Sequence, residues 1–428
     1  MDLHAIGITA EYNPFHNGHQ WQLQALRERL GNIPVIACMS GWFVQRGEIA
    51  LASPWTRAAM AVHAGVDLVL LLPSWYSLRS ADYFAAGAVK SLAATGIVNM
   101  LACGVEYINT GTSTLPDTAD WTLQQETEQQ VKTLLQQGLS YGAAWETAAM
   151  QNNKDVNWFK GANNLLALAY QKAILQNDLP IKLLTLSRRG NGYNDTGLMP
   201  PFASATAIRT ALRKNSSDAT LSAVLPKTSL HLLSLKEINY PERFTRQEDI
   251  LSILLAHLLI QHDSNSLYEH SSASRDLCDR FYNAREELQQ GYTAFCKKIT
   301  NNRDALPSVR RLTLQLLLQK PRAFWKEIPE PSYLRVLAFN DRGRSLLKKM
   351  KGTATLPIIN KLGNETQYKN SDLYPLLQLD AAAADLFQLL NRNAGGYGSC
   401  FTTSPLYVEL NLHCSGLFRK IFPNNLQQ

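Results

Sequence analysis

Residues 5–19 read AIGITAEYNPFHNGH, and this stretch decides the fold. Its first part, Ala5–Ala10, is a continuous apolar run, which is typical of a β-strand buried on both faces. His16, Gly18 and His19 follow after a short polar turn and lead directly into a helical pattern. The chain therefore begins with a strand, a turn that carries two histidines, and a helix.

Further apolar runs predict strands of the same kind, and longer amphipathic stretches separate them. They cover residues 33–39, 66–72, 97–105 and 181–186. The helix after the first strand has Leu23, Leu26 and Leu30 at helical spacing, and Gly31 ends it. Buried strands separated by helices predict a doubly wound parallel α/β sheet, because right-handed crossovers cover both faces with helices. Ligands of such a sheet bind at the carboxyl ends of its strands.

The H-x-G-H turn predicts a phosphate site. Gly18 lets a ligand approach the backbone, and His16 and His19 lie where the following helix presents unpaired N–H groups and the positive end of its dipole. This combination suits a triphosphate. Two alternatives remain open: the histidines only cap the helix, or they bind zinc. The zinc alternative is the weaker one, because zinc pairs on a helix are usually four residues apart and no third ligand is evident.

A second candidate phosphate element follows Pro200-Pro201. Residues 203–209 read ASATAIR, so Ser204 and Thr206 open a helix and Arg209 follows about one turn later. Hydroxyls, helix N–H groups and a fixed positive charge together bind phosphates. A plain Ser or Thr helix cap is the alternative for this element taken alone.

The chain changes character after residue 215. Residues 1–215 alternate strands and helices, whereas residues 216–428 show long helical patterns, no buried strand run, and two candidate short strands at 356–359 and 406–412. We therefore predict an α/β nucleotide-binding domain followed by a mainly helical domain. The length of 428 residues agrees with this division, since single cores stop growing near ~250–300 residues.

The net charge of +7 is concentrated in one part of the helical half. Residues 301–351 carry twelve Lys and Arg against four Asp and Glu, and the rest of the chain is nearly neutral. We predict that the basic segment, residues 303–351, binds a polyanion; the alternative is a solvated helix face. The candidate contacts are Arg310, Arg311, Arg335, Arg342, Arg344, Lys348 and Lys349.

The composition predicts a globular cytoplasmic protein. At 45% hydrophobic and 18% charged residues, the chain has enough apolar material for ordinary cores. No apolar run approaches the ~18–20 residues of a membrane span, and the first residues lack a signal-peptide pattern. The 6 cysteines contain no C-x-x-C pair, which predicts reduced thiols rather than disulfides or zinc ligands.

The two phosphate elements together resemble the nucleotidyltransferase superfamily, whose members carry H-x-G-H after the first strand and an S-x-[ST]-x-[IL]-R motif late in the domain. Longer stretches are similar to the bacterial tRNA(Met) cytidine acetate ligase family. These stretches are GITAEYNPFHNGHQWQL (7–23), SGWFVQRGEIA (40–50), WTRAAMAVHAGVDLVLLLP (55–73), SADYFAAGAV (80–89), GANNLLALAY (161–170), SATAIR (204–209) and YLRVLAFNDRGRSLLKKMK (333–351).

The resemblance implies an enzyme that activates acetate with ATP to acetyl-adenylate and transfers the acetyl group to N4 of the wobble cytidine of elongator tRNA(Met). AMP and pyrophosphate would be released, and Mg²⁺ would accompany the ATP. The family pattern implies catalytic roles for His16, His19 and Arg209. Gln45, Arg46 and Glu48 form a polar cluster after the second strand, at the ligand-binding end of the sheet; Arg46 is a candidate for holding acetate or phosphate, and a surface arginine is the alternative. The implied ATP site comprises Gly7, Ile8, Thr9, Ala10, Glu11, Tyr12, Asn13, Pro14, Phe15, His16, Asn17, Gly18, His19, Gln20, Gly104, Asn163, Arg188, Ser204 and Thr206.

This chain departs from the family pattern at several positions. Trp42 replaces Asn, Leu71 replaces Glu, Ala162 replaces Pro and Ser187 replaces Lys. Trp42 and Leu71 are expected near the edge of the active site, where the acceptor binds.

Some implied site residues also have structural alternatives. Gly104 could be a strand-end turn, Asn163 a helix cap and Arg188 a solvated charge. Glu11 and Asp67 are candidates for the group that takes the proton from the cytidine amine, by their position near strand ends.

Two other functions remain open. A small-molecule adenylyltransferase of cofactor biosynthesis would share the chemistry of the first half but would leave the basic segment unexplained. A non-catalytic RNA-binding protein on a nucleotide-binding fold is opposed by the intact His16, Gly18, His19 and Arg209.

Overall fold

A mixed sheet of eight strands forms the centre of the molecule. The computed structural model describes residues 5–106, 114–188, 197–216, 218–233, 238–327, 329–391 and 397–409. The strand order is β5-β4-β1-β2-β3-β6-β7, and β8 pairs with β6. The strands are Ala5–Ala10 (β1), Val35–Ser40 (β2), Leu68–Leu72 (β3), Val98–Val105 (β4), Lys182–Ser187 (β5), Leu334–Phe339 (β6), Ile358–Ile359 (β7) and Leu406–Tyr407 (β8).

Helices cover the sheet and form most of the second half. In the part of the chain that the structure describes, no helix is long and apolar enough to cross a membrane. The α-helices are Asn17–Leu30 (α1), Pro54–His63 (α2), Ser74–Ser77 (α3), Ala81–Ala93 (α4), Leu115–Thr122 (α5), Gln125–Gln136 (α6), Tyr141–Gln151 (α7), Ala162–Gln176 (α8), Ala205–Arg213 (α9), Asp218–Ser222 (α10), Lys227–Leu232 (α11), Tyr240–Gln261 (α12), Ser264–Glu269 (α13), Arg275–Asn283 (α14), Tyr292–Ile299 (α15), Leu306–Leu318 (α16), Arg322–Lys326 (α17), Asp341–Thr353 (α18), Tyr374–Leu390 (α19) and Ser399–Thr402 (α20). Short 3₁₀ helices occupy Val156–Phe159, Arg285–Gln290 and Glu365–Tyr368.

The strands predicted from the first half of the sequence all form. β5, β4, β1, β2 and β3 pair in parallel in that order, which confirms the doubly wound α/β fold. The prediction that the run at 181–186 is buried on both faces is wrong, since only Leu186 of β5 is buried. β5 lies at the edge of the sheet and pairs with β4 alone. With no strand on its other side, its side chains stay partly exposed.

The second half also contributes to the sheet, through β6. This strand pairs antiparallel with β3 and is buried at every residue except its last. The prediction of no buried strand run after residue 215 is therefore wrong. The strand was missed in the sequence because Arg335 interrupts its apolar run, and a charged residue argues against burial. The division into residues 1–215 and 216–428 stays a prediction, and the second half is not exclusively helical.

The amino edge of the sheet is closed by α18. Asp67, just before β3, accepts hydrogen bonds from Val35 N (2.9 Å) and Asn340 Nδ2 (3.1 Å), and Asn340 caps α18 by accepting from Gly343 N (2.9 Å). A Cβ atom added to Gly343 would lie 2.0 Å from the carbonyl oxygen of Asp67, so the helix packs on the backbone itself. Asp67 is therefore structural, and its candidacy as a proton acceptor is wrong.

Candidate functional site

A cavity of about 290 Å³ lies at the carboxyl ends of β1 and β4, and the turns before α1, α8 and α9 close it. This is the edge at which a doubly wound sheet binds its ligands. The cavity brings both sequence motifs into one site, although nearly two hundred residues separate them. The predicted site residues that line it are Ile8, Thr9, Ala10, Glu11, Tyr12, Asn13, His16, His19, Arg46, Gly104, Asn163, Arg188, Ser204, Thr206 and Arg209.

Other residues of the predicted ATP site do not line the cavity. Gly7 packs under α4, where an added Cβ atom would lie 2.9 Å from Leu92 Cδ1. Asn17 Nδ2 donates to the carbonyl oxygens of Pro201 and Ala223 (3.1 Å each), so it fastens the start of α1 to the chain around α9. Phe15 is fully buried against the aromatic ring of Tyr12. Gly7, Pro14, Phe15, Asn17, Gly18 and Gln20 therefore support the site rather than line it.

The two histidines form a capping box at the start of α1. His16 Nδ1 accepts from Gly18 N (3.1 Å), and His19 Nδ1 accepts from His16 N (3.2 Å). A ring nitrogen that accepts carries no proton, so each neutral imidazole holds its proton on Nε2. The capping alternative and the ligand-binding prediction thus describe the same residues: the cap fixes the tautomer, and Nε2–H remains as a donor for a ligand.

Both histidines are uncharged at neutral pH. Burial, with the neighbouring Arg188 and Arg209, lowers the pKa of His16 to about 3. Burial, with the nearby His16, also holds the pKa of His19 well below its usual range. The rings stack with their centroids 3.7 Å apart, which two imidazolium ions would resist. The site therefore offers neutral donors from the histidines and fixed positive charge from the arginines.

The depressed pKa of His16 predicts that the protein loses stability in mild acid. Below pH ~6.5 the unfolded chain protonates this residue and the folded chain does not until about pH 3, so the free energy of unfolding falls through that window. Urea unfolding should show that His16→Asn lessens the loss of unfolding free energy between pH 7 and pH 5 by about 2 kcal/mol, while the share of His19 remains. Equal pH dependence in the two proteins would contradict the assignment.

Arg209 is held by a buried ion bridge that the sequence did not reveal. Its Nη1 donates to Asn13 O (2.8 Å), and its Nη2 lies 2.6 Å from Glu48 Oε2. Glu48 Oε1 in turn binds Arg310 Nη1 of α16 at 2.7 Å. Burial opposes the charge of Glu48, but Arg209 and Arg310 outweigh it and keep the pKa of this carboxyl below its usual range.

The loop 45–48 carries this bridge and joins α16 to the cavity. Arg311 Nη1 donates to the carbonyl oxygen of Gln45 (2.9 Å), while Gln45 N donates to Glu11 Oε1 (2.8 Å). Gly47 has φ +69°, and a Cβ atom there would lie 2.6 Å from Arg311 N. Only glycine fits this close approach. Arg310 was predicted to contact tRNA and instead anchors the loop; Arg311 anchors it as well.

Glu11 is the carboxylate nearest the centre of the site. Burial raises its pKa, although the hydrogen bond from Gln45 N and the charge of Arg209 oppose that rise. A carboxyl with a raised pKa suits proton transfer better than metal binding. The described residues contain no group of three or more His, Cys, Asp or Glu that could hold a metal ion, so the lining does not build a metal site.

The far wall of the cavity comes from β4, α8 and β5. Glu106 accepts from Asn163 Nδ2, and Arg188 Nη1 donates to Asn163 Oδ1 at 3.4 Å. Gly104 lies under the stem of Arg188, where an added Cβ atom would be 3.0 Å from Cγ. Asn163 and Arg188 are thus tied to each other at the cavity, and they are neither a plain helix cap nor a solvated charge.

Several lining residues were not anticipated from the sequence. Phe84, Leu165 and Leu166 give the cavity an apolar wall that can accept a base ring, and Tyr170 hydrogen-bonds Thr9 across it. Gln45, from the polar cluster predicted after the second strand, also lines the cavity, and Gln22, Ala81, Cys103, Ala162 and Ala205 complete the unanticipated set. Most are small or apolar residues inside helices, where periodicity shows burial but does not distinguish a core from a pocket wall.

Two departures from the family pattern lie in the core. Trp42 and Leu71 are each 1% exposed, and neither lines the cavity. Trp42 packs edge-on against Trp55 with the ring centroids 6.1 Å apart. Both are buried in the core, so neither forms part of the cavity wall where the acceptor was expected to bind. Ala162 lines the cavity at the start of α8, and Ser187 ends β5 with its side chain exposed.

The basic segment does not form one surface. α16 lies at the carboxyl edge of the sheet beside the loop 45–48, whereas α18 lies at the amino edge, because β6 runs antiparallel to β3 between them. Arg335 is fully buried on β6, where its Nη1 lies 2.8 Å from Cys400 Sγ, so its predicted contact with tRNA is wrong. Arg342 binds Asn32 Oδ1 at 2.8 Å. The exposed candidates are Arg344, Lys348 and Lys349.

The sheet order, the histidine cap at its carboxyl edge and the arginine from a later helix define a nucleotidyltransferase. The sequence profile of the family described as HIGH Nucleotidyl Transferase matches residues 3–397. A tRNA(Met) cytidine acetate ligase from Clostridium kluyveri is 33% identical over 415 residues, covering 94% of this chain and 98% of that protein. One from Caldanaerobacter subterraneus is 33% identical over 399 residues, covering 91% and 96%. The chain thus belongs to the HIGH nucleotidyltransferase family and, within it, to the tRNA(Met) cytidine acetate ligase family.

Solved structures agree with this assignment. The apo form of Thermotoga maritima TmcAL superposes with a TM-score of 0.83 at 27% identity, covering 95% of this chain and 99% of that one. The same protein bound with α-thio ATP superposes with a TM-score of 0.81, at the same identity and coverage. The resemblance drawn from the sequence motifs is confirmed.

Proposed function

We propose that the chain is an ATP-dependent ligase that activates acetate and transfers the acetyl group to N4 of the wobble cytidine of elongator tRNA(Met). The observation that carries the proposal is the single cavity that joins His16, His19 and Arg209 at the carboxyl edge of the sheet. The names of the relatives and the α-thio ATP bound to the neighbouring structure support it. A tRNA substrate implies that the enzyme works in the cytoplasm.

In the first half-reaction, an acetate oxygen attacks the α-phosphorus of ATP and the bond to the β-phosphate breaks, releasing pyrophosphate. The Nε2–H groups of His16 and His19 would donate to phosphate oxygens, and Arg188 and Arg209 would neutralise their charge. Such a reaction needs little covalent help from the protein, because positioning and charge stabilisation supply most of the catalysis. Arg46, also on the wall, is the proposed partner of the acetate carboxylate.

In the second half-reaction, the cytidine amine attacks the acetyl carbonyl carbon and AMP leaves. Acetyl-adenylate is a reactive mixed anhydride, so water must be kept from it until the base arrives. Glu11 is the proposed acceptor of the amine proton, because its carboxylate is buried at the cavity with a raised pKa. A loop nucleotide can be splayed into such a pocket at modest cost.

Mg²⁺ stays a prediction. Since the described lining residues do not build a metal site, a magnesium ion would be held mainly by the phosphate oxygens of ATP. No step assigned to the side chains above depends on it.

Incubation with labelled acetate, ATP and bulk tRNA tests the proposal. Label in the RNA is expected, together with ATP–pyrophosphate exchange that requires acetate. Exchange without an acetate requirement would favour a small-molecule adenylyltransferase, and binding of RNA without either reaction would favour a non-catalytic RNA-binding protein. Absence of label from the RNA would overturn the assignment.

The exposed charges of α18 give a separate prediction. Lys348→Ala with Lys349→Ala should weaken tRNA binding and reduce the slope of log affinity against log salt by about 2, because each lysine that meets a phosphate releases about one counterion. A strand of six residues is only ~20 Å long, so one tRNA can reach both edges of the sheet.

The matched control is Lys297→Ala with Lys298→Ala, a pair of exposed lysines on α15 outside the basic segment. This pair should leave the salt dependence unchanged, and acetyl-adenylate formation should persist in both double variants. An unchanged slope for the α18 variant would assign Lys348 and Lys349 to a solvated helix face.

A further inference from the structure

A second cavity, of about 270 Å³, adjoins the catalytic one. It lies between the start of α4 and the helices α14 and α16, and Arg79, Ser80, Ser274 and Arg311 are among its walls. Two links join it to the catalytic cavity. Ser80 precedes Ala81, which lines the catalytic side, and Arg311 donates to the carbonyl oxygen of Gln45, which also lines it.

Arg79 is a buried charge that lacks a carboxylate partner. Its side chain is 8% exposed, and its guanidinium lies 4.6 Å from the ring centroid of Trp75 and 4.1 Å from that of Tyr83. Its Nη1 has no hydrogen-bond partner among the described residues. Removing a donor of this kind from water is costly, and an anion bound in the cavity beside Arg79 would supply the acceptor that Nη1 lacks.

Arg311 adds a second charge on the same wall. It donates to Ser308 Oγ (3.2 Å) as well as to Gln45, and no described carboxylate lies within ion-pair distance of Arg79 or Arg311. Burial and the charge of Arg79 lower the pKa of Arg311 to about 10, a sign that the two cations face each other uncompensated. Asp304 also lines the cavity, but it is bound by Arg280.

Several acceptors at and beside the wall are already occupied, as Asp304 is by Arg280. Arg322 Nη1 donates to the carbonyl oxygens of Tyr268 (3.1 Å), Ser271 (2.8 Å) and Ala273 (2.9 Å), so these acceptors already have a partner. Ser80 precedes the first residue of α4, and its hydroxyl makes no capping bond there. Hydroxyls and two arginines together match a phosphate group.

We propose that this second cavity binds a phosphodiester of the RNA backbone beside the target cytidine, so that the base enters the catalytic cavity while its backbone is held outside. The proposal rests on the proposed function. A free phosphate or pyrophosphate shares the chemistry, but the two links between the cavities favour RNA, because a base splayed into one cavity places its own backbone at the neighbouring one.

A neutral-linkage experiment tests the contact directly. An anticodon stem-loop RNA is made with a single methylphosphonate in place of one phosphate flanking the cytidine, and its affinity is compared with that of the natural stem-loop. With the unaltered protein, one flanking substitution should weaken binding about tenfold. With Arg79→Gln, the natural RNA should bind about tenfold more weakly, and the methylphosphonate should cost nothing further.

Arg79→Lys keeps a charge at the site and should recover part of the affinity and of the sensitivity to the methylphosphonate. Arg285→Gln is the control, because Arg285 also stacks on a tyrosine, Tyr282, with 4.6 Å between guanidinium and ring centroid, and lines a different cavity. It should behave like the unaltered protein. Circular dichroism of each variant excludes loss of folding as the cause.

Two results would overturn the proposal. One is an equal cost of the methylphosphonate in the unaltered protein and in Arg79→Gln, and the other is no cost at either flanking position in the unaltered protein. Competition by inorganic phosphate at millimolar concentration without a methylphosphonate effect would assign the cavity to a free anion instead. Acetylation of the natural stem-loop, measured in parallel, keeps this outcome apart from failure of the proposed function.

Discussion

Replacing His16 with Asn should reduce acetate-dependent ATP–pyrophosphate exchange by about a hundredfold to a thousandfold, the usual loss when one donor to a developing charge is removed. Asn is among the best helix caps, so its side chain can take over the bond from Gly18 N and keep α1 in place. What it removes is the Nε2–H that the capped imidazole holds toward the cavity. The variant therefore separates catalysis from capping.

His16→Ala is the matched comparison, because it loses the cap as well. It should show the same loss of exchange and an additional loss of about 1 kcal/mol in the free energy of unfolding at pH 7. Affinity for tRNA should stay the same in both variants, since the proposed RNA contacts lie on α18 and at the second cavity. Retained exchange in His16→Asn would remove His16 from the chemistry and leave it as a helix cap.

The fold and the two motifs could be predicted because their signals are local. β1 and the start of α1 are adjacent in sequence. Each half of the phosphate site is a turn that leads into a helix, and a few characteristic residues identify such a turn. The rule that ligands bind at the carboxyl edge then brought the halves together without knowledge of their distance. The cavity agrees with that inference.

The polar cluster after the second strand includes Glu48, but the role of this residue could not be predicted, because that role depends on partners far away in sequence. Its carboxylate joins Arg209 to Arg310, and nothing around Glu48 in SGWFVQRGEIA distinguishes it from a surface acid. The same limit misled the assignment of the basic segment. Charge summed along the chain locates a cluster in sequence only. In the structure, β6 crosses the sheet in the middle of the basic segment, so the two ends of the segment lie at opposite edges of the sheet and Arg335 is buried between them.

Arg209→Gln should lower acetate-dependent exchange by about a hundredfold to a thousandfold, and it should also destabilise the protein. Glu48 would lose one of its two guanidinium partners while it remains mostly buried, and breaking such a pair costs about 3 kcal/mol. A loss of exchange activity could then result from partial unfolding rather than from the missing charge. A second substitution separates the two effects.

Arg209→Gln combined with Glu48→Gln should recover most of the free energy of unfolding, because the buried charge is removed and the amide oxygen that replaces the carboxylate can still accept from Arg310. Exchange activity should remain as low as in Arg209→Gln, since the positive charge beside the phosphates is still missing. Urea unfolding and exchange measured on the same preparations give both quantities. Recovery of activity along with stability would mean that Arg209 serves only to balance Glu48. The positive charge beside the phosphates would then come from the other arginines that line the cavity, Arg46 and Arg188.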